Sequence, residues 1–309
     1  MEIKKPMDVP QHFPVRKSKK QKQAFRASVQ EYLESLGYTV SFEKGSFGAQ
    51  NIIAGDPKTA KFLVTAHYDT CARMYVPNLI TPCNLLLYLL YQLAVVVPIF
   101  LVGDIVGVAA GRIADSTDVG LVMKNLSLLT ILALLIAGPA NPSNANDNTS
   151  GVVTVLEIAR SLPENLRGKV CFVLFDLEEA GLIGSSSYRS KHKKESKNQI
   201  VLNLDCVGEG DEIYFFPTSK LKKDSEKLAC LESICARVGK KNITLRKKGF
   251  SIYPSDQANF PYGVGICALK RGKLGLYLSR IHTPRDTILD ETNVNILRAA
   301  LISMIGGKA

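Results

Sequence analysis

The sequence predicts an α/β protein, a mixed and mainly parallel sheet covered by helices on both faces, with a helical membrane hairpin inserted into it. Three observations lead there. Three apolar runs each end abruptly in polar residues, segments of helical periodicity separate those runs, and one long block is far more apolar than the rest of the chain. Strands that alternate with helices pair in parallel with both faces covered. Ligands of such sheets bind beyond the carboxyl ends of the strands.

The elements follow in order. Residues 1–20 carry Lys4, Lys5, Arg16, Lys17, Lys19 and Lys20 with no apolar stretch, which predicts a basic tail and no secretory signal. Residues 21–40, "QKQAFRASVQEYLESLGYTV", have the spacing of an amphipathic helix that closes at Gly37 and runs into a strand. "NIIAG" and "KFLVTAHYDT" are the next strands, followed by "KVCFVLFDLEEAG" and "QIVLNLDCVGEGD". Helical patterns cover 150–162, 222–238 and 291–304, and weaker strands fit "EIYFFP", "ITLRKK", "GICALKR" and "LGLYLS". The expected organisation is a tail (1–20), a catalytic domain in two pieces (21–78 and 140–309) and an insertion (79–139).

The insertion holds two apolar segments, at about 85–103 and 120–139, each close to the roughly 20 residues that span a bilayer as a helix. Pro98 lies in the first, which membrane helices tolerate. The connector at 104–119 carries Asp104, Arg112, Asp115 and Asp118. A pair of buried core helices, or an apolar lid at a dimer interface, is the competing interpretation. A membrane hairpin makes the lipid bilayer a partner through 79–139.

The 309 residues, 46% of them hydrophobic, suffice for one large α/β domain, and a net charge of +11 raises nucleic acid or an anionic lipid surface as partners. No aromatic-rich RNA-binding signature or recognition-helix pattern occurs, so no nucleic-acid partner is expected. The seven cysteines are odd in number and form no CxxC pair. That pattern suits reduced thiols in the cytoplasm and speaks against a cysteine-ligated zinc site.

Of four histidines, His12 and His192 lie in basic surroundings, whereas His67 ends an apolar run with Asp69 two residues on. In an extended chain that spacing puts both side chains on one face, so Asp69 can orient the imidazole from behind. His282 lies in the polar turn "RIHTPRDT". Asp147 precedes a helix, Asp205 follows a strand, and Glu178 and Glu179 sit side by side after "VLFDL". Adjacent glutamates are usually a solvated loop. Taken together, however, His67, Asp147, Glu179, Asp205 and His282 supply nitrogen and oxygen donors suited to catalytic zinc, leaving Glu178 as a general base.

The order HYD (67–69), NDNTSG (146–151), EEAGLIGS (178–185), NLD (203–205) and IHTPRDT (281–287) resembles the di-zinc aminopeptidase family. That family includes secreted bacterial aminopeptidases, glutamate carboxypeptidases and glutaminyl cyclases. The likeness covers roughly 21–75 and 140–309. It implies a three-layer zinc-exopeptidase-like domain that hydrolyses peptide substrates with two zinc ions per chain. By this resemblance His67 and Asp205 hold one zinc, Glu179 and His282 the other, and Asp147 bridges both. Glu178 is the general base and Asp69 the residue behind His67, these two forming the catalytic pair. The Asp147–Asn148 bond is expected to be cis. Departures are Gln257, where relatives commonly carry histidine, and Ile281, where some carry tyrosine. A single-zinc, glutaminyl-cyclase-like enzyme and a non-catalytic scaffold on the same fold are the alternatives. The expected location is the cell membrane, crossed twice, with the catalytic domain in the cytoplasm.

Overall fold

A mixed sheet forms the centre of the computed structural model, which describes residues 2–76 and 78–307 apart from the side chains of Ala236 and Arg237. Its strands are β1 (Val40–Lys44), β2 (Gln50–Ala54), β3 (Phe62–His67), β4 (Val170–Phe175), β5 (Ile200–Leu204), β6 (Glu212–Pro217), β7 (Ala236–Val238), β8 (Lys241–Leu245), β9 (Gly263–Gly272) and β10 (Gly275–Tyr277). They lie in the order β1-β2-β4-β3-β5-β9-β6-β8-β7, with β10 paired to β9. The central strands β4, β3, β5 and β9 are parallel, while β2 and β6 flank them antiparallel. This is the mixed sheet expected.

β3, β4 and β5 are buried at every position because both faces are covered. Val64, Ala66, Phe172, Leu174 and Leu202 point into one apolar cluster. Their neighbours Leu63, Cys171, Val173 and Val201 point into another on the opposite face.

The helices begin with α1 (Val9–His12) and α2 (Lys19–Ser35). Ser18 caps α2 by accepting from Gln21 N at 3.3 Å, and Gln21 accepts in return from Ser18 N at 2.9 Å. The basic N-terminal segment packs against the domain. Ile3, Val9 and Phe13 join the main core, and Arg16 is fully buried, donating to the carbonyls of Tyr68 and Phe13 at 2.6 Å each. Apolar residues interleaved with the charges drive this packing.

α3 (Leu85–Ala114) and α4 (Thr117–Ala137) form the inserted hairpin. The expected connector at 104–119 is mostly helix: α3 runs on to Ala114, and the turn is confined to Asp115 and Ser116. The two helices meet through Gly103, Gly107, Gly111 and Gly120. A Cβ on Gly107 would lie 2.9 Å from the Gly120 carbonyl oxygen, and one on Gly120 2.8 Å from that of Gly107. Lys124 pairs with Asp104 across the same seam. Outward, Leu93, Phe100, Ile105, Leu129 and Leu134 are more than half exposed. The helices are therefore not core, and both are long and apolar enough to cross a membrane. At the root, Ala72 and Ala140 pair in an isolated bridge, and Ile80 pairs with Leu278, so both ends of the insertion return to the same rim.

α5 (Gly151–Ser161) packs against β3 and α10 (Glu291–Gly306) on one face, and α7 (Ile183–Lys191) covers the other beneath Tyr188. The short α6 (Glu164–Arg167) precedes β4. The helix expected at 222–238 is instead α8 (Ser219–Lys222), α9 (Ser225–Glu232) and β7. Asp224 interrupts it by capping α9 through Lys227 N at 3.1 Å, and Gly239, at φ 61, turns β7 back onto β8.

Candidate metal centre

Strand register assembles the site. His67 pairs with Phe175 across β3 and β4, and Thr65 with Asn203 across β3 and β5. His67 therefore lies level with the residues that follow β4 (176–179) and with Asp205 after β5. Asp147 sits in the tight turn Ala145–Ser150 that opens α5, where its bond to Asn148 is cis as expected. His282, at φ 63, lies in the loop between β10 and α10.

Asp147 stands between the two histidines. Its Oδ1 is 3.3 Å from His67 Nε2 and its Oδ2 is 3.0 Å from His282 Nε2. On the His67 side, Asp205 Oδ1 is 3.7 Å from Nε2 and Glu178 Oε2 is 4.0 Å away. On the His282 side, Glu179 Oε2 is 3.2 Å from Nε2. The adjacent glutamates thus serve different histidines. Their backbone N–H groups both donate to Asp69, that of Glu178 to Oδ1 at 3.1 Å and that of Glu179 to Oδ2 at 3.2 Å. Asp69 also stands 3.5 Å behind His67 Nδ1, beyond a good hydrogen bond. All seven residues singled out from the sequence meet here. His12 and His192 lie elsewhere, His192 pairing with Glu43 at 2.9 Å.

The electrostatics call for cations. Burial pushes the Glu179 carboxyl up to about 8, against the pull of His282, and holds Glu178 well above the carboxylate range, against the pull of His67. Burial alone would lower His282, but the Glu179 charge and the hydrogen bond to Asp147 raise it to about 9. Asp147 stays below the usual range despite burial, because both imidazoles hydrogen-bond to it. Glu179 Oε1 and His67 Nδ1 are buried without hydrogen-bond partners. Crowded carboxylates and imidazole nitrogens around unmet polar atoms fit divalent zinc.

Several supporting residues were not singled out from the sequence. Asp286 accepts from Asn146 N at 2.8 Å and from Asp147 N at 3.0 Å, which holds the turn bearing Asp147. Burial raises its carboxyl to about 8. Its signal was its place four residues after His282 in a polar turn. Asn148 ties that turn to β5, donating to Leu204 O at 2.9 Å. Asp256 is fully buried with neither oxygen in a well-formed hydrogen bond. Gln257 donates to Tyr253 O at 2.7 Å and accepts from Asn203 at 3.1 Å, so its side chain is engaged in the interior. Two thiols flank the carboxylates. Cys71 lies within 4.8 Å of donor atoms of Glu179 and His282, and Cys206 Sγ is 3.2 Å from Asp205 Oδ1.

Comparison with known proteins shows the family and the fold. The model of peptidase family M28 matches residues 116–304, well over half the chain. The matched span contains Asp147, Glu178, Glu179, Asp205 and His282, while His67 and Asp69 precede it. Aminopeptidase YwaD of Bacillus subtilis is 36% identical over 89 residues, an alignment spanning 28% of this chain and 19% of that protein. A glutaminyl cyclase of Porphyromonas gingivalis superposes with a TM-score of 0.59 at 17% identity, over 98% of this chain and 97% of its own. The LapA aminopeptidase of Legionella pneumophila gives a TM-score of 0.56 at 15% identity, over 98% of this chain and 69% of its own. At such identities the two structures share the fold.

Proposed function

The chain belongs to peptidase family M28, and from that premise we propose that it is a di-zinc metallopeptidase of aminopeptidase type held to a lipid bilayer by α3 and α4. The observation that carries the reading is Asp147, with one oxygen toward His67 and the other toward His282. His67 and Asp205 would hold one ion, Glu179 and His282 the other, and Asp147 both. Zinc bound there supplies Lewis acidity, polarising the scissile carbonyl and acidifying water. Glu178 takes the proton of the attacking water at its carboxylate and returns it to the departing amine. Asp69 keeps both glutamates in place through their backbone N–H groups, and Asp286 does the same for Asp147.

The exposed apolar surface of the hairpin supports the membrane tether. The free cysteines support a cytoplasmic catalytic domain. Protease added outside right-side-out vesicles should leave that domain intact.

Conservative amides at the two glutamates separate the proposed roles. Glu178→Gln should keep the zinc content of the wild type and lose roughly 10²–10⁴ in kcat on aminoacyl chromogenic substrates. Glu179→Gln should lower the zinc content and, with it, the thermal stability. An active Glu178→Gln enzyme with full zinc would overturn the mechanism. The reverse pairing would exchange the two roles.

A further inference from the structure

A groove of about 510 Å³ opens directly beside Glu179 and Asp69, and its opposite wall is the end of α4. We propose that this groove binds the apolar residues next to the scissile bond of peptides that reach the enzyme from the bilayer. The hairpin is then a specificity element as well as a tether. The inference rests on the membrane-peptidase reading above and names its substrate class.

Three features of the groove carry it. Its lining on the α4 side is Ile136, Ala137 and Ala140, and Leu177 and Ala180 continue that lining toward Glu179. Side chains of this kind offer an amide substrate no hydrogen-bond partner and reward apolar contact. The wall is also continuous with the lipid-facing surface. Leu132, Leu134, Leu135 and Ile136 are all exposed along the last turns of α4, and the charged side chains of the groove, Lys17 and Lys22, line its facing side. A peptide lying in the bilayer interface against α4 thus has one apolar wall to follow toward Glu179, facing a polar wall that carries Lys17 and Lys22.

The third feature fixes the wall in place. Lys17 donates to the Ile136 carbonyl at 2.8 Å, which satisfies an orphan carbonyl at the helix end and ties α4 to the start of α2. Exposed Lys19 and Lys20 on the next turn suit anionic headgroups and would hold the groove mouth at the membrane surface. The substrate must carry a free amine and an apolar sequence. The class of reaction that supplies such peptides is endoproteolysis of membrane-inserted segments, and this enzyme would act after it.

The chain contains no tryptophan, so a single introduced indole reports on the groove alone. The test uses Ile136→Trp in the zinc-loaded full chain, reconstituted in phosphatidylethanolamine–phosphatidylglycerol vesicles and titrated with trileucine or triglycine. Leu121→Trp, at the far end of the hairpin, is the control. Trileucine should shift the Ile136→Trp emission saturably, triglycine should not, and the control should stay silent. Ile136→Ser should raise KM for trileucine about tenfold or more, and far more than KM for triglycine. Trileucine hydrolysis with a silent indole and an unaltered KM would overturn the inference and leave the peptidase reading standing. A saturable shift without hydrolysis of any peptide would do the opposite, keeping the groove and removing the proposed activity.

Discussion

The rim of the central strands and the outer surface of the hairpin depart from ordinary protein economy in opposite ways. At the rim, Asp69, Asp147 and Asp205 are buried, and Glu178 and Glu179 are largely so. On the hairpin, Leu, Val, Ile and Phe side chains are exposed over two helices. Buried charge costs several kcal/mol per group unless it is compensated, and large exposed apolar surfaces mark interaction sites. In the proposed reading each region has a complement of definite chemistry: cations in the first case, hydrocarbon in the second. The sheet supplies the rigid frame for both, since the Ala72–Ala140 bridge joins the hairpin root to the strand end that carries His67.

Separating the two regions gives the largest expected effect. Replacing 83–139 with a short Gly/Ser linker should move the protein from the membrane fraction to solution as a folded, zinc-binding domain. Gel filtration and metal analysis check this. Aggregation of the product would mean that the helices cover the sheet and are part of its core. An intermediate effect is expected at the rim. Asp286→Ala removes the carboxylate that accepts from Asn146 N and Asp147 N. Zinc affinity should fall about 10–100-fold, as for other residues that orient metal ligands, and competition with a chelator reads it. The smallest effect lies within the hairpin. Gly120→Leu forces α3 and α4 apart at Gly107 and Gly111. It should cost roughly 1–3 kcal/mol of overpacking, seen as a lower Tm in lipid with kcat unchanged.

Much of the rim was legible in the sequence because three sets of donors follow apolar runs that read as buried strands. His67 ends β3, Asp205 follows β5, and the glutamates follow β4. Parallel register then brings the strand ends level without any local signal. What could not be seen were residues that act through the backbone or through burial. Asp286 binds N–H groups far from it in sequence, Asp256 is an isolated acid until the fold closes over it, and Cys71 nears Glu179 only when β3 and β4 pair. The packing of the basic N-terminal segment gave no signal because its charges outnumber Ile3, Val9 and Phe13, although the apolar residues decide where it packs. The region 222–238 failed for a related reason. Its periodicity is helical, but Asp224 and Gly239 favour a cap and a turn, and pairing with β8 claims Ala236–Val238.

The central claim is that the rim is built for two cations bridged by Asp147. Zinc per chain, measured by mass spectrometry on the full-length protein and on two variants, tests it most directly. The account predicts two zinc ions in the wild type, one in Glu179→Gln, and fewer than one in Asp147→Ala, which removes the shared oxygen pair. A wild-type count of one would favour the cyclase-like alternative, and a count of none, or an Asp147→Ala protein that still holds two, would contradict the account.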